Sequence, residues 1–161
     1  MKIAFYLGSA GTPQDRIIAA YTHGPYAHVE LVIDPEFLPY IPSPLIHPHD
    51  AGGSLCYSSS SKSPRDGCGF QVINLDDGKW KVFDLPPYLD WHMAVDLAIT
   101  DVGRPYDWRG IVGFVVKGQD NKAERFCSEE CVLLLQAAGM LLGVKAATVS
   151  PNYLAQLLGV L

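Results

Sequence analysis

The order of the secondary-structure patterns is the feature that most constrains the fold. Short runs typical of β-strands fill the chain up to about residue 85, and helical periodicity dominates from Tyr88 onward. Strands that come first and helices that follow predict an α+β fold with a largely antiparallel sheet. A length of 161 residues suits a single domain, residues 1–161, with a buried core.

About five strands are predicted, near residues 1–8, 27–33, 55–59, 70–75 and 80–85. The last two are joined by Asp76-Asp77-Gly78-Lys79, which favours a hairpin. Helices are predicted after the N-cap Thr12, from about residue 88 to 102, from Cys127 to 138, and from residue 151 to 158. Residues 35–53 contain five prolines and are predicted to form an irregular loop.

Composition excludes several classes of protein. Hydrophobic residues make up 48% of the chain and charged residues 18%, which excludes intrinsic disorder. The net charge of −5, without a basic stripe, argues against a nucleic-acid partner. No apolar run is long enough for stable insertion in a membrane, and no export signal is recognised, so the predicted location is the cytoplasm. Four cysteines are too few for a disulfide scaffold.

Cys127 is the most informative residue. It lies at the predicted start of an apolar helix, where backbone N–H groups and the helix dipole favour a thiolate. Glu129 and Glu130 in the first turn agree with that helix end. The alternative is a buried structural cysteine, which is the interpretation that we give to Cys131 one turn further on.

A histidine and a glutamate share one face of the second strand. Strand alternation places His28 and Glu30 together, with Val29, Leu31 and Ile33 on the core side. A glutamate two residues away can reach the imidazole and fix its tautomer. A cysteine, a histidine and an orienting acid are the parts of a thiol triad. The alternative for this face is a row of polar residues in solvent.

A metal site is not predicted, and neither is a cofactor. His47-Pro48-His49 and the pair Cys127 and Cys131 are the only candidates for ligands. Neither C-x-x-C nor H-E-x-x-H spacing occurs in the chain.

Two motifs carry a family resemblance. The stretch Gly103-Arg104-Pro105-Tyr106-Asp107-Trp108-Arg109-Gly110, followed by Arg125-Phe126-Cys127-Ser128-Glu129, resembles the NlpC family of papain-fold cysteine peptidases and amidases. The strand Ala27-His28-Val29-Glu30 precedes the cysteine helix, which reverses the usual order. This order is similar to that of the circularly permuted branch, which includes YiiX-like proteins and, more distantly, lecithin retinol acyltransferase-like enzymes. Ser150-Pro151-Asn152-Tyr153-Leu154 also resembles a recurrent feature of permuted members.

The resemblance implies a permuted papain-like fold and a set of roles. Cys127 would be the nucleophile, His28 the general base and acid, and Glu30 the orienting group. Tyr106 would lie over the active site, and Tyr106 and Ser128 would contact substrate. Three residues depart from the family pattern and leave the substrate open: Phe126 in place of Asp, Glu129 in place of Gly, and Arg109 in place of Gly.

The sequence therefore predicts a thiol hydrolase that cleaves an amide bond in a small peptide-like substrate, with cell-wall-derived peptides as the commonest family case. One alternative is an acyltransferase or thioesterase with lipid-like substrates, for which the apolar stretch 111–116 would supply a groove. Another is a binding module with an inert cysteine. The oligomeric state stays open.

Overall fold

The sheet has six strands in the part of the chain that the computed structural model describes, residues 1–47, 52–61, 66–106 and 126–161. The strands are β1 (Lys2–Leu7), β2 (Tyr26–Val32), β3 (Ile46–His47), β4 (Ser54–Ser60), β5 (Gly67–Ile73) and β6 (Trp80–Asp84). Their order is β3-β5-β4-β2-β1-β6. The neighbouring pairs in this order are antiparallel except β3 with β5, so the sheet is mixed.

Two predictions about the sheet are wrong. About five strands were expected, and the sixth is the short β3, which lies in the proline-rich segment and pairs with β5 over Ile46 and His47. The expected hairpin between β5 and β6 does not form, because β5 pairs with β3 and β4 while β6 pairs with β1 at the opposite edge. The turn residues fold locally, with Gly78 at φ +78° and the Asp77 carboxylate accepting from the Lys79 N–H. A good turn signal therefore does not fix which strands pair.

Four α-helices occur in the described ranges: α1 (Pro13–Tyr21), α2 (Trp91–Asp101), α3 (Cys127–Ala137) and α4 (Pro151–Leu157). Short 3-10 helices cover Gly8–Ala10, Pro35–Tyr40, Ser43–Leu45 and Ala146–Thr148. Thr12 and Asp15 form a capping box at α1, as the sequence predicts for Thr12. None of the helices in these ranges is long and apolar enough to cross a membrane.

The main core lies between one face of the sheet and helices α2 and α3. Val29, Leu31 and Ile33 belong to it, so their predicted core-side placement is confirmed. A smaller apolar cluster, centred on Ala4, Val32 and Cys56, covers part of the other face. The α+β class is confirmed, and in the described ranges the second face of the sheet carries only this smaller cluster of buried apolar residues.

The pairing between β2 and β4 is short. It joins Leu31 to Tyr57 and Val32 to Cys56, whereas β1 pairs with β2 along most of its length. Next to that short ladder, the Val29 carbonyl accepts from the Ser58 hydroxyl at 2.8 Å and from the Cys131 thiol at 3.8 Å. Side chains from β4 and α3 therefore hydrogen-bond to β2 where the backbone ladder ends, and α3 packs against this half of β2.

Candidate active site

Cys127 is the first residue of α3, as the sequence predicts. It follows the N-cap Phe126, whose side chain makes no capping hydrogen bond, and Glu129 and Glu130 lie in the first turn. The N–H groups of a first turn have no intrahelical partner, so the positive end of the helix dipole lies at the Cys127 backbone. Cys127 is 4% exposed, which places its thiol in a site that is largely shielded from water.

His28 and Glu30 form an ion pair on β2. The distance from His28 Nε2 to Glu30 Oε1 is 2.7 Å. The Glu30 side chain is 1% exposed and that of His28 is 21% exposed. The alternative of a polar face in solvent is therefore wrong for Glu30, which is held inside the protein against the imidazole. A buried carboxylate at this distance fixes the ring orientation and favours its protonated form.

The His28 ring and the Cys127 thiol lie close enough to interact electrostatically, which shows in the pKa of His28. Burial alone would lower the pKa of His28. The negative charge and hydrogen bond of Cys127, followed by those of Glu30, outweigh burial and raise the pKa of His28 to about 9. The three residues that are expected to act together therefore lie close in space, with the imidazole of His28 between Cys127 and Glu30.

Aromatic rings complete the surroundings of His28. In the sheet register Tyr6 of β1 lies opposite both His28 of β2 and Trp80 of β6. Trp80 meets the imidazole edge-on, with ring centroids 6.3 Å apart, and meets Tyr6 at 5.0 Å. These contacts restrict rotation of the imidazole and cover one side of it with apolar surface.

Cys131 and Glu130 belong to the interior behind the site. Cys131 is fully buried, and burial raises the pKa of its thiol well above the usual value, so it stays a neutral thiol that donates to the Val29 carbonyl. Glu130 accepts a hydrogen bond from the Tyr57 hydroxyl at 3.1 Å and so ties α3 to β4. The structural interpretation of Cys131 is confirmed by this placement.

The two residues expected to contact substrate lie in different surroundings. The Ser128 side chain is fully buried, and its hydroxyl donates to the Val149 carbonyl at 2.6 Å. It therefore points into the interior, and the side chain gives no support to a substrate contact. Tyr106 is half-buried at the end of a described segment, two residues after Arg104, whose carbonyl accepts from the Cys68 N–H. Residues 107–110 of the motif, and the apolar stretch 111–116, lie outside the described residues.

Asn152 is a residue near the site whose role the sequence analysis missed. It is fully buried in the first turn of α4, and its amide exchanges two hydrogen bonds with the Tyr26 backbone, at 2.9 Å and 2.8 Å. Its Nδ2 also donates to the Thr22 hydroxyl at 2.5 Å. The sequence analysis places Asn152 in a helix start and in a stretch that resembles permuted family members, but no local pattern predicts a hydrogen-bond partner 126 residues away.

A metal site has no support in the described residues, where no group of three or more His, Cys, Asp or Glu side chains is arranged so that it could hold a metal ion. His47 is half-buried on β3, and Pro48 and His49 lie outside the described ranges.

Comparison with known proteins adds no assignment. No protein-family model matches the chain, and no curated protein matches it either. The family resemblance thus stays an expectation, and the geometry around His28 is the basis for a functional proposal.

Proposed function

We propose that the chain is a thiol hydrolase that cleaves an amide bond in a small peptide-like substrate. Cys127 acts as the nucleophile, His28 as general base and acid, and Glu30 as the orienting group. The observation that carries the proposal is the surroundings of His28, whose imidazole is hydrogen-bonded to the buried Glu30 carboxylate and whose pKa is raised by the nearby Cys127 thiol. A structural cysteine has no need of such a histidine.

The first step is transfer of the thiol proton from Cys127 to His28. Because Glu30 occupies Nε2, the ring nitrogen left for the thiol is Nδ1. The raised pKa of His28, about 9, favours the imidazolium that this transfer produces. Charge separation in this shielded site is stabilised by Glu30 on the imidazolium side and by the α3 dipole on the thiolate side.

The thiolate then attacks the substrate carbonyl carbon, and a C–S bond forms as the carbonyl oxygen takes up the negative charge. The Cys127 N–H at the start of α3 is placed to donate to that oxygen. The C–N bond breaks as His28 donates its proton to the departing amine, which leaves a thioester on Cys127. His28 then takes a proton from water, whose oxygen attacks the thioester, and the acid and the free thiol are released.

A permuted papain-like architecture is part of the same proposal. A strand that carries the base comes before the helix that carries the nucleophile, and the helix packs against that strand in a largely antiparallel sheet. Both features agree with the family expectation. A peptide-like substrate, with cell-wall-derived peptides as the first candidates, follows from the resemblance.

The test is a site-resolved alkylation rate for each cysteine against pH, read by peptide mass spectrometry with iodoacetamide. In the wild type Cys127 is expected to react at pH 6, where His28 is protonated, and to slow by at least about tenfold in His28→Ala. Cys131 is the internal reference, since burial keeps it a neutral thiol. Equal rates at Cys127 and Cys131, or no dependence on His28, would contradict the proposal and favour a binding module.

Reaction chemistry is tested by intact mass after addition of an activated peptide ester. A single acyl adduct on Cys127, absent in Cys127→Ala and discharged by water, is the expected result. Panels of peptide amides and lipid-like esters then separate the hydrolase from the acyltransferase. Turnover that survives Cys127→Ala would overturn the assigned nucleophile.

A further inference from the structure

The start of β2 is held by a side chain in place of a neighbouring strand. Tyr26, the first residue of β2, donates its N–H to Asn152 Oδ1 at 2.9 Å and accepts from Asn152 Nδ2 at 2.8 Å. Paired residues of an antiparallel ladder exchange the same two bonds, an N–H donated and a C=O accepting. The amide of Asn152 therefore acts as a one-residue strand partner for β2.

His28 lies between two such side-chain anchors. On its N-terminal side, Asn152 holds Tyr26, and on its C-terminal side, Ser58 and Cys131 hold the Val29 carbonyl. The regular ladder with β4 begins only at Leu31. The backbone that carries the imidazole is thus aligned by specific side chains, not by continuous strand pairing on this edge.

The other edge of β2 is irregular at the same place. The pairing of β1 with β2 shifts register between Tyr6, which lies opposite His28, and Leu7, which lies opposite Tyr26. A bulge bends a strand and changes the direction of nearby side chains, so the β1 ladder alone leaves the orientation of His28 poorly fixed. An anchor at Tyr26, two residues before His28, removes that freedom.

The anchor itself is rigid. Asn152 is fully buried, and the Ser150 hydroxyl caps α4 by accepting from the Tyr153 N–H. Gly24 lies against the Asn152 amide, and a Cβ at Gly24 would overlap with it. The turn between α1 and β2 is therefore shaped to admit this amide, and the Thr22 hydroxyl accepts its remaining Nδ2 hydrogen.

We propose that Asn152 is a positioning residue for His28, which sets the distance between the imidazole and the Cys127 thiol by fixing the start of β2. The proposal rests on the function proposed above. In this role Asn152 bonds to Tyr26 and Thr22, and no bond to the thiol or the imidazole is needed. Its effect reaches them through the Tyr26 backbone and the two residues of strand that follow.

The test compares Asn152→Ala with Thr22→Val. Thr22→Val removes one hydrogen bond of the same amide and leaves both bonds to Tyr26, so it is a matched control for lost stability. The measurements are the His28 pKa, from NMR titration of the ring protons, and the alkylation rate of Cys127 at pH 6, at a temperature where both variants are folded. In Asn152→Ala the His28 pKa is expected to fall by about one unit and the rate by about tenfold. Thr22→Val is expected to change neither.

Asn152→Ser is the second variant if Asn152→Ala does not fold. Its neutral hydroxyl can bond one of the two Tyr26 backbone groups but not both, so a smaller change in the same direction is expected. A His28 pKa that stays at the wild-type value in the folded Asn152 variant, or that changes equally in Thr22→Val, would overturn the proposal. If wild-type Cys127 proves unreactive, the proposed function fails, and the His28 pKa comparison still decides the role of Asn152.

Discussion

The pKa of His28 offers the sharpest test of how the site is built. The folded value is about 9 against an ordinary 6.5, and the difference corresponds to about 3 kcal/mol in favour of the imidazolium. A unit charge about 4 Å away contributes about 4 kcal/mol at an effective dielectric constant of 20. Removal of a single anionic neighbour is therefore large enough to cancel most of the difference.

The contacts also predict an order of effects. Cys127 raises the pKa of His28 more than Glu30 does, and burial opposes both. Cys127→Ala is therefore expected to lower the His28 pKa more than Glu30→Gln, and the double variant should titrate below 6.5 because only burial remains. Cys68→Ala, on β5 and separated from β2 by β4, is the control and should leave the value unchanged.

The assay is NMR titration of the histidine ring protons, with the His28 signal assigned by its absence in His28→Gln. The reasoning fails if Glu30→Gln lowers the pKa more than Cys127→Ala, or if the double variant still titrates above 6.5. The first result would mean that the thiol is not the dominant neighbour. The second would mean that another negative charge faces the ring.

Three further outcomes are expected for stability. Because the pKa of His28 is raised to about 9 in the folded state, its contribution to the free energy of unfolding is fully present below pH 6.5 and is lost as the pH rises through 9. The difference in melting temperature between the wild type and His28→Gln should therefore shrink across that range, and a constant difference would contradict this expectation. Gly67→Ala should destabilise the fold by more than about 1 kcal/mol in urea unfolding, because Gly67 has φ +103° and a Cβ would overlap with the Arg104 carbonyl. An unchanged urea midpoint would contradict this prediction. Thr12→Ala should cost about 1 kcal/mol in the same assay by removal of the acceptor for the Asp15 N–H, and a neutral effect would argue against the capping box.

Features with local causes could be predicted from the sequence. The start of α3 at Cys127 follows from acidic residues in its first turn and an apolar stripe after them. Contact between His28 and Glu30 follows from strand alternation, which requires only that the segment be extended. The residues of α1 carry their own capping box.

Features with distant partners could not be predicted in this way. Residues 77–79 do form a bend, but β6 pairs with β1 and not with β5. No residue near this bend indicates which strand β6 will pair with. β3 forms in a proline-rich segment because β5 offers it a free edge. Asn152 carries no sign of Tyr26, since the two meet only after the sheet and α4 have assembled.

The order of His28 before Cys127 in the chain has a consequence for the protein as it leaves the ribosome. β2 ends at Val32 and α3 begins at Cys127, so at ordinary translation speeds roughly 5–20 s separate the synthesis of His28 from that of the thiol it contacts. Through that interval a nascent chain carries an imidazole without its sulfur partner and a sheet face without its α3 cover. Under the function proposed above, the reactivity of Cys127 therefore arises only once α3 has been synthesised, together with the shielding that confines it.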